Sequence, residues 1–232
     1  MELNLGTKCV ALAMTMALCG AVTAADKPIN PTQYKGPVKV ACVGDSITEG
    51  AGASNGHAYP NLLGPMLGAK WNVRNFGLSG TTLLKNGDKP YWMCRQFTDA
   101  KAFVPDVVTI ALGTNDSKPQ NWAHKDQFLA DYKALIAEFR EVNPKVIIYA
   151  CLPVPAFPGQ WGINEKDISG EIIPLIQQAA KESKVQTIDL HAALDGKKEV
   201  FPDTVHPNDA GQAMIAEAVA KALTGKTPAK AK

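Results

Sequence analysis

Five short apolar runs, at residues 38–43, 71–76, 107–112, 146–151 and 185–190, recur along the chain with helical stretches between them. Parallel strands need long crossover connections, normally helices, so this alternation predicts a parallel sheet covered on both faces. Among the connections, 126–142 has the clearest helical pattern: Phe128, Leu135, Ile136 and Phe139 recur at near-helical spacing before Asn143-Pro144 stops it. The stretch 165–183 is also helical in pattern, with Pro174 expected to restart or kink it. A last helix should begin after Pro207 with Asn208 as cap, presenting Met214, Ile215, Ala218, Val219 and Ala222 on one face. No internal repeat is evident.

At 232 residues and 46% hydrophobic content the chain can bury one sizeable core, which points to a single domain. Lys plus Arg number 24 against 22 Asp plus Glu. That near balance argues against nucleic acid or an anionic membrane surface as partner and favours a neutral or mildly polar substrate. Lys8 precedes an apolar stretch at 10–22 that ends in small residues around Ala24 and Ala25. Residues 1–25 are therefore expected to be an export signal, leaving no integral membrane span in the mature chain. Lipid anchoring through Cys19 is disfavoured, because Leu18 replaces the small residue such a signal wants. Loss of the leader would leave Cys42, Cys94 and Cys151, an odd set with no disulfide framework, although a bridge involving Cys94 stays open. Cys42 and Cys151 lie in strand-like runs and should behave as small buried hydrophobes. Residues 26–37 read as an extended lead-in and 224–232 as a frayed, Lys-rich tail.

Ligands of an open parallel sheet bind beyond the carboxyl ends of its strands. Four polar segments fall there: Gly44-Asp45-Ser46-Ile47-Thr48 after the first run, Gly77-Leu78-Ser79-Gly80-Thr81 after the second, Gly113-Thr114-Asn115-Asp116 after the third, and Asp203-Thr204-Val205-His206-Pro207 after the fifth. A serine hydroxyl attacks an ester at neutral pH only if an imidazole takes its proton and an acceptor holds that imidazole. Ser46, His206 and Asp203 can fill those three parts. Pro207 biases His206 toward extended backbone, so its ring can project into the crevice. Ser46 does not lie in a G-x-S-x-G elbow, which disfavours the alpha/beta-hydrolase fold. Asp45 and Asp116 read as loop braces. His57, His124 and His191 lack ligand spacing, so no metal and no cofactor are expected. Tyr91, Trp92, Trp122 and Trp161 are each either rim residues able to stack on sugar rings or anchors of core and loop, the second being favoured for any one of them.

The blocks G-D-S-I-T, N-F-G-L-S-G, L-G-T-N-D and D-T-V-H-P, in that order, resemble the SGNH (GDSL-type) hydrolases over nearly the whole chain past the leader. The resemblance implies an α/β, flavodoxin-like three-layer α/β/α sandwich with a five-stranded parallel sheet spanning 38–223, and ester hydrolysis. It also implies Ser46 as nucleophile, His206 as base with Asp203 its partner, and Ser46, Gly80 and Asn115 as donors to an oxyanion. The segment 112–122, reading L-G-T-N-D-S-K-P-Q-N-W, is similar to bacterial members described as sialate O-acetylesterase-like. The expected function is thus an exported carboxylester hydrolase that removes a small acyl group, acetyl first among them, from carbohydrate, its partner being a small-molecule or glycan ester substrate. A lysophospholipase, thioesterase or arylesterase of the same family, or a carbohydrate-binding protein that has lost turnover, stay open. Activity should fall on the acid side as His206 protonates.

Overall fold

A computed structural model describes residues 28–158 and 160–227. The predicted leader, with Cys19, and the end of the tail lie outside the described residues. Five strands, β1 (Val38–Gly44), β2 (Trp71–Gly77), β3 (Val107–Ala111), β4 (Ile147–Leu152) and β5 (Gln186–Asp189), form one sheet in the order β2-β1-β3-β4-β5. Every pairing is parallel, and Val43 lies beside Phe76 on one side and Ile110 on the other. Each strand lies within a residue or two of its apolar run.

The described helices are α1 (Ser46–Glu49), α2 (Tyr59–Leu67), α3 (Arg95–Ala102), α4 (Pro119–Trp122), α5 (Phe128–Val142), α6 (Glu165–Asp167), α7 (Ile173–Ser183), α8 (Leu190–Leu194) and α9 (Asp209–Thr224). Successive strand residues point to opposite faces, which gives the sheet two cores. Ala41, Val43, Val108, Ile110, Ile148 and Ala150 pack on one side with Phe128, Leu135 and Phe139 of α5 and Ile176 of α7. Val40, Cys42, Val107, Tyr149 and Cys151 pack on the other with Tyr59 and Leu63 of α2 and Ile215 and Val219 of α9. The result is the three-layer α/β/α sandwich with a five-stranded parallel sheet that the resemblance implies.

Local chemistry accounts for several element ends and for the departures from expectation. The Asn208 side chain caps α9 by accepting from the Gly211 amide. The buried face of α9 is rotated from the one expected: Ile215 and Val219 are at its centre, but Gly211, Gln212, Ala216, Ala220 and Leu223 complete it, while Met214, Ala218 and Ala222 sit at its flank. Ahead of Pro174 the chain takes a π-helical turn over Ile168–Ile172, so the proline falls in the first turn of α7, where no amide is needed. The lead-in is not wholly extended, since Pro31–Gln33 form a 3-10 turn capped by Asn30, and the Ile29 amide donates to the Leu223 carbonyl. Thr224 closes α9 and Gly225 is its left-handed cap, so the start of the predicted tail is ordered. Cys42, Cys94 and Cys151 are all free thiols, which removes the bridge left open for Cys94.

Candidate active site

In this strand order the chain leaves β1 in one direction to reach β2 and returns to place β3 on its other flank, so a crevice opens where the order reverses. Ser46 stands at that point. The buried Asp45 follows β1 directly and its carboxylate accepts from the Ile47 amide at 3.0 Å, starting α1 with Ser46 as its first residue. As the opening residue of a helix, Ser46 has a backbone N–H without an intrahelical acceptor.

The Asp203–His206 loop meets Ser46 from the fifth-strand side. His206 Nε2 lies 2.9 Å from Ser46 Oγ, and His206 Nδ1 lies 2.8 Å from Asp203 Oδ2. The other carboxylate oxygen, Oδ1, accepts from the amides of Val205 at 3.0 Å and His206 at 2.6 Å. The carboxylate thus holds backbone and ring of the histidine together, which assigns the ring proton to Nδ1 and leaves Nε2 to accept from the serine hydroxyl. Partial burial works against ionising Asp203, but those two amides and the imidazole outweigh it and hold the carboxyl below its ordinary value. The loop is strained at Thr204, a β-branched residue at φ +70°. Its amide donates to the Phe201 carbonyl and its carbonyl accepts from the Phe157 amide, which keeps it there.

Gly80 (φ +81°) and Asn115 line the same cleft, of about 220 Å³, as Ser46 and His206. One N–H of the Asn115 carboxamide donates to the Thr81 carbonyl at 3.1 Å, fixing the group while leaving its second N–H free. Asp116 behind it is fully buried and accepts from the amides of Leu83 and Leu84 at 3.0 and 2.8 Å, tying the third-strand loop to the second-strand loop. The five site positions expected from the sequence, Ser46, Gly80, Asn115, Asp203 and His206, are therefore brought to one rim, with Asp116 bracing it from behind. Such an arrangement can generate an alkoxide-like nucleophile and surround a developing negative charge with N–H donors.

The four aromatic residues separate. Tyr91 and Trp122 are buried, and Trp92 sits half-buried with its indole N–H donating to the Leu83 carbonyl. Trp161 is 56% exposed, and its ring centroid is 5.1 Å from that of His206. Of the four, it alone lines the cleft. Residue-level reasoning missed Gly52, at φ +86°, where an added Cβ would sit 2.7 Å from His206 Cβ. The glycine-rich string after Thr48 is the only trace of it in the sequence. Gln212 was missed as well, because a glutamine within a helix carries no sign of burial.

Fold and site together define the class: the SGNH type of α/β/α protein, with a serine hydroxyl, imidazole and carboxylate in series at the switch point of a parallel sheet. Residues 42–214 match the GDSL-like Lipase/Acylhydrolase family, and the chain belongs to that family. It is 40% identical over 216 residues to an acetylxylan esterase of Xylanibacter ruminicola, an alignment covering 83% of this chain and 44% of that protein. The chain therefore spans less than half the length of this relative. Its fold is similar to that of Axe2, an acetylxylan esterase from Geobacillus stearothermophilus, with a TM-score of 0.62 and 22% identity over 84% of this chain and 99% of that one. It is also similar to that of Est24, a carbohydrate acetylesterase from Sinorhizobium meliloti, with a TM-score of 0.64 and 20% identity over 79% of this chain and 97% of that one.

Proposed function

We propose that this protein is an exported acetylesterase that removes acetyl groups from an acetylated glycan, acetylated xylan first among them, through an acyl-serine intermediate. The observation that carries the reading is the unbroken chain of hydrogen bonds Asp203–His206–Ser46, opening into a cleft that Gly80 and Asn115 also line. Ser46 Oγ attacks the acyl carbonyl while His206 Nε2 takes its proton. The carbonyl oxygen becomes an oxyanion held by the amides of Ser46 and Gly80 and the carboxamide of Asn115. Collapse breaks the bond to the sugar oxygen, which leaves with the proton from His206. Water then attacks the acyl-serine and gives its proton to His206. Acetate departs, and the proton returns to Ser46.

Two observations support acetyl on a sugar rather than a long acyl chain. The cleft is small, and its mouth carries an exposed tryptophan face of the kind that stacks on pyranose rings. The similarity to an acetylxylan esterase points the same way, and favours a xylan-type substrate over the sialate suggested by the segment 112–122. Export rests on Lys8 and the apolar stretch that follows it. Among the described residues no helix is long and apolar enough to cross a membrane.

Acetate release from acetylated xylan, measured for wild type and Ser46→Ala, tests the reading. Turnover by wild type and background rates for the variant are expected. Equal background rates for both would leave only binding. A strong preference for p-nitrophenyl octanoate over the acetate would refute the acetylesterase assignment.

A further inference from the structure

Ser79, whose carbonyl shares a peptide unit with the Gly80 N–H, is gripped from both sides by charged residues to which the sequence blocks assign no role. On one side Lys89 Nζ donates to the Ser79 carbonyl at 2.7 Å. On the other, Glu49 Oε2 accepts from the Ser79 amide at 2.7 Å and also from the Ser79 hydroxyl. Glu49 is the last residue of α1, the helix that Ser46 begins. Lys89 is held in reach by its backbone: the Thr82 amide donates to the Lys89 carbonyl at 2.9 Å and the Tyr91 amide to the Thr82 carbonyl at 3.0 Å. The Gly80 N–H itself has no protein acceptor among the described residues.

A trans peptide is planar, with its C=O and N–H pointing in opposite directions. Whatever orients the Ser79 carbonyl therefore aims the Gly80 N–H as well. A cation on the carbonyl also draws electron density through the conjugated unit and strengthens the opposite N–H as a donor. We propose that Lys89 and Glu49 are positioning residues that clamp Ser79 between them, so that the Gly80 N–H is aimed and polarised toward the oxyanion formed at Ser46. The inference rests on the assignment of Ser46 and Gly80 made above. Glu49 ties the donor loop to the nucleophile's own helix, and Lys89 offsets the negative charge that Glu49 brings near the site.

The test is steady-state hydrolysis of p-nitrophenyl acetate by the full chain and its Lys89→Met, Lys89→Arg, Glu49→Gln and Ser46→Ala variants. Methionine keeps the length of the lysine stem without its charge. Lys89→Met should lower kcat roughly tenfold while KM and Tm hold, and Lys89→Arg should recover most of the loss. Inhibition by a boronic acid, which forms a tetrahedral anion on a serine, should weaken by the same factor. Because the ammonium is exposed, added salt should reduce the advantage of wild type over Lys89→Met. Glu49→Gln should lower kcat in the same sense. If Ser46→Ala is inactive while Lys89→Met and Glu49→Gln stay within about twofold of wild type in kcat and boronic acid affinity, the clamp is refuted and the site stands. If Ser46→Ala retains turnover, the site assignment falls and the clamp with it.

Discussion

Gly52 shows how tightly single atoms are rationed around His206. An alanine there would have to adopt φ +86° with its Cβ 2.7 Å from His206 Cβ and 2.9 Å from the His206 carbonyl oxygen. One of the two segments must then move. Gly52→Ala is expected to destabilise the fold by about 1–3 kcal/mol, while displacement of the imidazole lowers kcat on p-nitrophenyl acetate by about 100-fold. Thermal melting and kinetics on the same sample separate the two effects, and a loss of stability with unchanged kcat would show that the glycine serves packing alone. At Asn115 the expectation differs, because its carboxamide is anchored on Thr81 and only one N–H faces reaction. Asn115→Ala should cost about 100-fold to 1,000-fold in kcat with little change in KM. At this scale the polar blocks were legible because each joins a rare residue type to a strand end. Gly52 was not, since its constraint comes from a neighbour 154 positions away in the sequence (206 − 52).

Among the elements, α9 carries a residue that links three helices. Gln212 is fully buried, accepts from the Tyr59 amide at 2.8 Å and donates to the Ile47 carbonyl at 2.9 Å. It thereby caps α2 and holds α1, on which Ser46 rides. Gln212→Leu keeps the approximate volume but leaves an amide and a carbonyl unpaired. It should cost about 2–4 kcal/mol in denaturant unfolding, and lower kcat as α1 loosens. Asn208→Ala, which removes only the cap of α9, should cost about 1 kcal/mol and leave kcat near wild type. Equal effects of the two on kcat would contradict a special link through Gln212. The existence of α9, its start and its apolar centre at Ile215 and Val219 were readable from spacing. Its full buried face was not, because the stripe turns by about 100° per residue and hydrogen bonds to other elements pull Gln212 inward.

In the whole molecule, two carboxylates lie buried beneath the catalytic rim. Burial pushes Asp45 up to about 7 against the opposing Ile47 amide, with Asp116 adding to the rise, and burial pushes Asp116 up to about 6 against the amides of Leu84 and Leu83. Both titrate higher folded than unfolded, so the native state holds more protons between the ordinary carboxylate value and these raised ones. Stability should therefore fall as pH rises from about 4 through about 7. The hydrogen bond to Glu165 raises His191, and its contribution, present below the ordinary imidazole value, is likewise lost as pH rises through the raised one. Asp203, held low, acts oppositely, and its contribution is lost as pH falls through its own depressed value. Asp45→Asn can still accept from the Ile47 amide. Its Tm advantage over wild type should grow between about pH 5 and about pH 8. A difference that stays constant across that range would mean that Asp45 is ionised throughout. Residue type and spacing were enough for the strands, their parallel class and the rim on which the polar blocks fall, because burial on both faces and strand-end position are local properties written in residue type. Three-dimensional packing was needed to show which of four aromatics faces the cleft, which glycine makes room for the imidazole, and how Gln212, Glu49 and Lys89 are engaged. Those are contacts between segments far apart in the chain, and no periodicity or composition encodes the distance between them.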